Sequence, residues 1–209
     1  TYAEQSKSIF AEIGDRDGVA AGWLNMGTTL LQLSEYAAAW AHIEQSFAIS
    51  QAIGDTGGQA RCYQVWGALC YQNGDYASAR LHLEKAFAIF HEAGIQHELS
   101  QVAFELSVIL LKEHELAASK PLLTELLHYA LTAGGVSVQT PALLIGALFF
   151  YQLGAYTTSM RYLRLLSAGA TKAWHPFDLW PELAEKLQSA LGVEYFTHLL
   201  AEGQGAAVE

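Results

Sequence analysis

The 209-residue chain carries 11 basic against 21 acidic residues, for a formal charge of −10; 52% of it is hydrophobic, only 15% is charged, and its mean hydropathy is +0.17. So apolar a composition excludes extended disorder, and without a cluster of Lys and Arg to neutralise phosphates, nucleic acid is not expected as a direct partner. The richest apolar run, Leu143 to Leu153, is about half of what a bilayer crossing needs and is broken by Gly146 and Gln152, so no membrane span is expected.

In chain order, Thr1 to Ile13 reads as the second helix of a truncated unit, and Ile13-Gly14-Asp15 ends it. Apolar residues recurring at three- and four-residue spacing then predict pairs of helices. The first of each pair runs over about Val19–Leu33, Gly57–Asn73, Gln96–Glu113 and Ser137–Leu153. The second runs over about Tyr36–Ile53, Tyr76–Ala93, Leu116–Ala133 and Tyr156–Ala168. Short polar breaks such as Ser34-Glu35 and Asn73-Gly74-Asp75 suit the turn inside a hairpin. Between hairpins, Ile53-Gly54-Asp55 places glycine at a left-handed cap and aspartate near the next helix start, where a carboxylate is favoured.

These elements repeat. Tyr36, Tyr76, Leu116 and Tyr156 stand 40 residues apart, as do Gly14, Gly54, Gly94 and Gly134, and Ala39, Ala79, Ser119 and Ser159. Gly27, Gly67 and Ser107 form a further series, with Gly146 one residue early. Several series sharing one period mark a repeat architecture. Glycine at 27 and 67 lets the paired helix approach, with Ala39 and Ala79 facing it and Trp23 and Tyr63 filling holes beside it. Tyr36, Tyr76 and Tyr156 can lay their rings over the hairpin turn.

After residue 170 the repeat gives way to Trp174-His175-Pro176-Phe177 and Trp180-Pro181. A helix from Pro181 to Leu191 follows, with proline in its permissive first turn; Gly192 ends it, and Val193 to Glu202 forms a last short helix. The expected division is therefore a repeat array over 1–170 and a linker with capping helices over 171–209. Within the array, a half repeat over 1–15 precedes four hairpins at about 16–55, 56–95, 96–135 and 136–170.

No catalytic or metal constellation stands out. Cys62 and Cys70 lie eight residues apart on one predicted helix, roughly 12 Å by its rise, too far for a disulfide and unlike any zinc spacing. His91, Glu92 and His97 lack the four-residue histidine spacing that one helical face needs for zinc, and His42 and His82 share a repeat position, as packing residues do. No phosphate-cradling loop and no nucleophile elbow is present, so neither catalysis nor a cofactor is expected. The two cysteines fit a reducing cytoplasm.

The strings Leu24-Asn25-Met26-Gly27, Ser34-Glu35-Tyr36 with Ala39, and Trp66-Gly67, Gly74-Asp75-Tyr76 with Ala79 and Ala86 resemble the tetratricopeptide signature. The period exceeds the usual ~34 residues. That longer unit is similar to the arrays of bacterial STAND-class signal-transduction ATPases and related transcriptional activators, and to those of animal G-protein-regulatory adaptors. The tail, with Leu191-Gly192, Tyr195-Phe196 and Ala201-Glu202-Gly203, resembles the C-terminal end of the bacterial regulators. Together with the start at Thr1 inside an amphipathic pattern, this implies a piece of a longer soluble protein.

The resemblance implies an all-α, right-handed superhelical solenoid whose first helices line a concave face. On that face the candidate binding residues are Asn25, Thr28 and Gln32, then Arg61, Gln64 and Tyr71, then Gln101, Phe104 and Glu105, and finally Tyr151. Glutamine both donates and accepts, which suits peptide main chain or a small neutral ligand, and the aromatics can act as anchors. The fourth unit is nearly all apolar there, which leaves open whether the C-terminal segment covers it. Three functions follow: the sensor end of a STAND-type regulator, a constitutive scaffold for a peptide or helix, or capture of a small molecule such as an oligosaccharide.

Overall fold

Aspartate and glycine punctuate the chain as caps. In the computed structural model, which describes residues 14–133, 136–169, 180–194 and 197, Asp15, Asp55 and Asp75 each accept a hydrogen bond from a backbone N–H three residues on: Gly18 at 3.0 Å, Gly58 at 2.8 Å and Ser78 at 3.0 Å. Each satisfies one orphan donor of the helix it starts. Helices α1 (Arg16–Gln32), α2 (Tyr36–Ile53), α3 (Thr56–Gln72), α4 (Tyr76–Ala93) and α5 (Gln96–Lys112) follow in order. Then come α6 (Leu116–Ala133), α7 (Val136–Gln152), α8 (Tyr156–Gly169) and α9 (Trp180–Leu191). Among the described residues there is no strand, and the fold is the expected all-α array of repeated helical hairpins.

The second helices of the first three hairpins occupy the predicted spans. The first helix of the first hairpin begins three residues before its expected start, at Arg16, and that of the second one residue before, at Thr56, because the aspartate caps start them inside polar and glycine-rich sequence; that of the third begins at Gln96 as expected. The expected helix over Thr1 to Ile13, the breaks at 134–135 and 171–179, and most of the last helix after Val193 lie outside the described residues.

Every first helix ends in the same way. The residue two past its end is left-handed: Ser34 (φ 62°), Gly74 (φ 79°), His114 (φ 59°) and Gly154 (φ 73°). Backbone N–H groups fold back to the last turn, as in Ser34 to the Leu31 carbonyl and Glu35 to that of Leu30, and the same pair of bonds recurs at 74–75, 114–115 and 154–155. This double bond pattern satisfies the carbonyls that an ending helix leaves open. The second helices end at left-handed Gly54 and Gly94 by the same pattern.

The chain forms two compact units, Thr1–Val102 and Ala103–Glu209. In the first, α1 pairs with α2 and α3 with α4, α2 packs on α3, and α1 also touches α3. A Cβ on Gly27 would lie 2.9 Å from Ile43 Cγ1, and one on Gly67 would lie 2.6 Å from Leu83 Cγ, so glycine is what lets the paired helices meet. Ile43 and Leu83 are fully buried at those crossings, and burying a side chain of this size contributes roughly 1.5–3 kcal/mol. The Ser46 hydroxyl donates to the Ala20 carbonyl at 2.8 Å and accepts from the Cys62 thiol at 3.4 Å, tying α1, α2 and α3 together.

In the second unit α7 is apolar on all sides and is correspondingly enclosed: α6, α8 and α9 all pack on it. Its Ala147 stands where the first two hairpins have glycine and the third has Ser107, and the Ser159 hydroxyl donates to its carbonyl at 2.7 Å. Gly146, one residue early, faces the Tyr162 ring, which a Cβ there would strike. Helix α9 docks on α7 and α8 and buries Leu183 and Leu187 completely, so the C-terminal segment does cover part of the fourth apolar face.

Candidate functional site

In the first unit the expected face of α1 and α3 is at the surface. Asn25, Gln32 and Arg61 are exposed, while Thr28, Gln64 and Tyr71 are half-buried. Contact between α1 and α3 brings these residues onto adjoining helices. The Arg61 guanidinium lies 3.7 Å from the Asp55 carboxylate, which aims it along the start of α3. The Thr28 hydroxyl donates to the Leu24 carbonyl at 3.0 Å. The Tyr71 ring leans on Tyr76 at 5.4 Å between centroids, and Tyr151 leans on Tyr156 at 5.5 Å. The tyrosines that open the second helices thus brace the candidate aromatic anchors across the turn. A braced aromatic loses little freedom on binding.

Gln101 is exposed on α5 and lies 3.2 Å from His97 through side-chain nitrogens. Phe104 and Glu105 differ from expectation. Phe104 is 2% exposed and Glu105 6%, within a run over Val102–Leu111 in which every residue is buried. The segment VAFELSVILL is apolar nearly all round, so this helix is enclosed rather than half-faced, and neither residue is presented at the surface.

Tyr151 belongs to a cleft of about 350 Å³ in the second unit. Its apolar walls are Val108, Leu111, Leu148 and Leu183; Lys112, His114 and Lys186 are its basic side chains, and Tyr151 and Gln152 complete the lining. The Gln152 side-chain amide donates to the Leu111 carbonyl, fixing the end of α7 to the end of α5. His114, Leu183 and Lys186 carried no sequence signal that placed them here. Their grouping depends on the left-handed turn after α5 and on how α9 docks, neither of which periodicity encodes.

Cys62, Cys70 and His82 serve packing. Cys62 and Cys70 are free and buried, and burial pushes both thiols above their ordinary range, so neither is poised as a nucleophile. His82 sits among Trp40, Tyr63 and Trp66, with ring centroids 6.2, 6.0 and 5.6 Å away; burial first, then nearby Lys85, lowers its pKa, while Asp75 opposes the shift. Hydrogen bonds from Ser78 hold the Asp75 carboxyl below its ordinary value, as befits a cap. Among the described residues no group of three His, Cys, Asp or Glu side chains could hold a metal, and no helix is long and apolar enough to cross a membrane.

The tetratricopeptide repeat family matches residues 2–92, and no curated protein matches the chain. Among solved structures it is similar to aspartyl phosphate phosphatase F from Bacillus subtilis, at 16% identity and a TM-score of 0.68, over 100% of this chain and 54% of that one. It is also similar to a Rap protein complexed with competence and sporulation factor, at 21% identity and a TM-score of 0.74, over 98% of this chain and 57% of that one. The chain thus spans just over half the length of either, and the likeness is one of fold. It is an all-α, tetratricopeptide-like repeat array, matched to the tetratricopeptide repeat family over residues 2–92.

Proposed function

We propose that this chain is a non-catalytic repeat domain that binds a protein segment or peptide across α1 and α3, the first helices of its first two hairpins. The observation that carries this reading is the surface of α1 and α3. There Asn25, Gln32 and Gln64 offer paired donors and acceptors beside Arg61 and a braced Tyr71. Side-chain amides match the donors and acceptors of an extended main chain, and an anchored tyrosine supplies apolar contact at low entropic cost. The Rap protein of like fold holds a bound factor, which is consistent with this use of the architecture. Use of the acids as helix caps and of the thiols as buried filler supports binding over chemistry, although one structural neighbour bears a phosphatase's name.

The test is selection of a random dodecapeptide display library against the immobilised chain, followed by binding of the enriched peptides to variants. Tyr71→Ala and Gln64→Ala are expected to weaken binding, while Glu44→Ala and Glu84→Ala on the second helices leave it unchanged. Failure to enrich any peptide, or enriched peptides indifferent to the first-helix variants, would overturn the reading. A narrower assignment, the sensor end of a bacterial STAND-type regulator, rests on the 40-residue period and the tail. It predicts that deleting this segment from its parent abolishes the effector response.

A further inference from the structure

The cleft at the ends of α5 and α7 differs in chemistry from the surface of α1 and α3. The whole chain is acidic, with a formal charge of −10, yet the described residues lining this cleft include the basic Lys112, His114 and Lys186 and no Asp or Glu. Lys112 in the last turn of α5 has a local reason to be basic, because a helix C-terminus favours a cation. Lys186 lies in the middle of α9 and lines the cleft from that helix. His114 is the second departure. It takes a left-handed conformation at the turn position where the second and fourth hairpins use glycine, at the cost that a side chain carries there. That conformation sets the imidazole at the cleft.

The rest of the lining is apolar, and the cleft is already formed: Gln152 pins α7 to the Leu111 carbonyl, and α9 closes one wall with Leu183. Its volume of about 350 Å³ falls within the range of small-molecule sites. Apolar walls with a basic rim match a ligand with an apolar body and one anionic head. We propose that this cleft binds a small, free, apolar carboxylate of the medium-chain fatty-acid type. The alkyl chain lies against Leu111, Leu148 and Leu183, and the carboxylate meets Lys112 and Lys186, with the Tyr151 hydroxyl as a further donor. This site lies in the second unit and is independent of the peptide-binding reading, so either can fail without the other.

Calorimetric titration of the full chain with decanoate, kept below its micelle concentration, tests it, with decanol and a peptide ending in a free leucine carboxylate as comparisons. One decanoate per chain is expected, with decanol and the peptide each bound at least about tenfold more weakly. The exposed-lysine double variant Lys112→Met, Lys186→Met is expected to keep its fold by circular dichroism and to lose at least about tenfold in decanoate affinity. No decanoate binding, equal binding of decanol, or undiminished binding to the lysine variant would overturn the proposal. Preference for the peptide over decanoate would also overturn it, by assigning the cleft to a chain terminus.

Discussion

The Gln152 side-chain amide donates to the main-chain carbonyl of Leu111, joining the ends of two first helices that are 41 residues apart in sequence. The Leu111 carbonyl also accepts from the His114 N–H at 3.1 Å, so the Gln152 bond uses its second lone pair and adds a tie between the two helices. Gln32, Gln72 and Lys112 hold the equivalent positions in the other hairpins. Gln152→Leu is expected to lower stability by about 1 kcal/mol, the net worth of one such bond, read as a shift in the urea midpoint without a change in slope.

Glycine is needed at 67 and dispensable at 57. A Cβ at 67 would fall 2.6 Å from Leu83 Cγ and 3.3 Å from the Ala79 carbonyl oxygen, so Gly67→Ala must push apart a close helix pair, at a cost of about 1–3 kcal/mol. At 57 the nearest atom would be Asp55 Oδ1 at 3.4 Å, and alanine there only stiffens the unfolded chain and favours helix, a gain of about 0.4–1 kcal/mol. Denaturation midpoints of the two variants should move in opposite directions.

Two turn positions are strained. Ser34 and His114 are left-handed at φ 62° and 59°, where Gly74 and Gly154 serve the other hairpins. Ser34→Gly and His114→Gly are each expected to stabilise the fold by up to ~1 kcal/mol, measured by thermal or urea unfolding. Of the two, only His114→Gly should also weaken decanoate binding in the cleft of the second unit, which would separate strain kept for a ligand from strain that is incidental.

His82 makes stability depend on pH in a stated direction. Its folded pKa is depressed below the ordinary 6.5, chiefly by burial and then by Lys85, with Asp75 opposing. Below the ordinary value the unfolded chain therefore takes up a proton that the folded chain resists, and stability falls as pH drops. Urea midpoints should decline between about pH 7 and pH 5, and the decline should be shallower in His82→Gln, whatever that variant's absolute stability.

Much of this fold is legible because its repeat is. Spacing from Tyr36, Tyr76 and Leu116 places the second helices at Tyr36–Ile53, Tyr76–Ala93 and Leu116–Ala133, as observed, and the small-residue series locates the crossings at Gly27 and Gly67. Features that break the repeat are less legible. Serine and histidine at 34 and 114 do not announce a left-handed turn as glycine does at 74. Phe104 follows the face periodicity but is buried, since α5 is apolar on both sides of that face. Leu183 and Lys186 reach the cleft only through the docking of α9, a long-range register that a local pattern does not carry.

The first helices of the first two hairpins, α1 and α3, form the proposed binding surface. Amide hydrogen exchange of the chain, free and saturated with a display-selected peptide, tests it most directly. Added protection is expected to concentrate on α1 and α3, around Asn25–Gln32 and Arg61–Tyr71, with α2 and α4 unchanged on their outer faces. Protection confined to α2 and α4, or none at saturation, would contradict it.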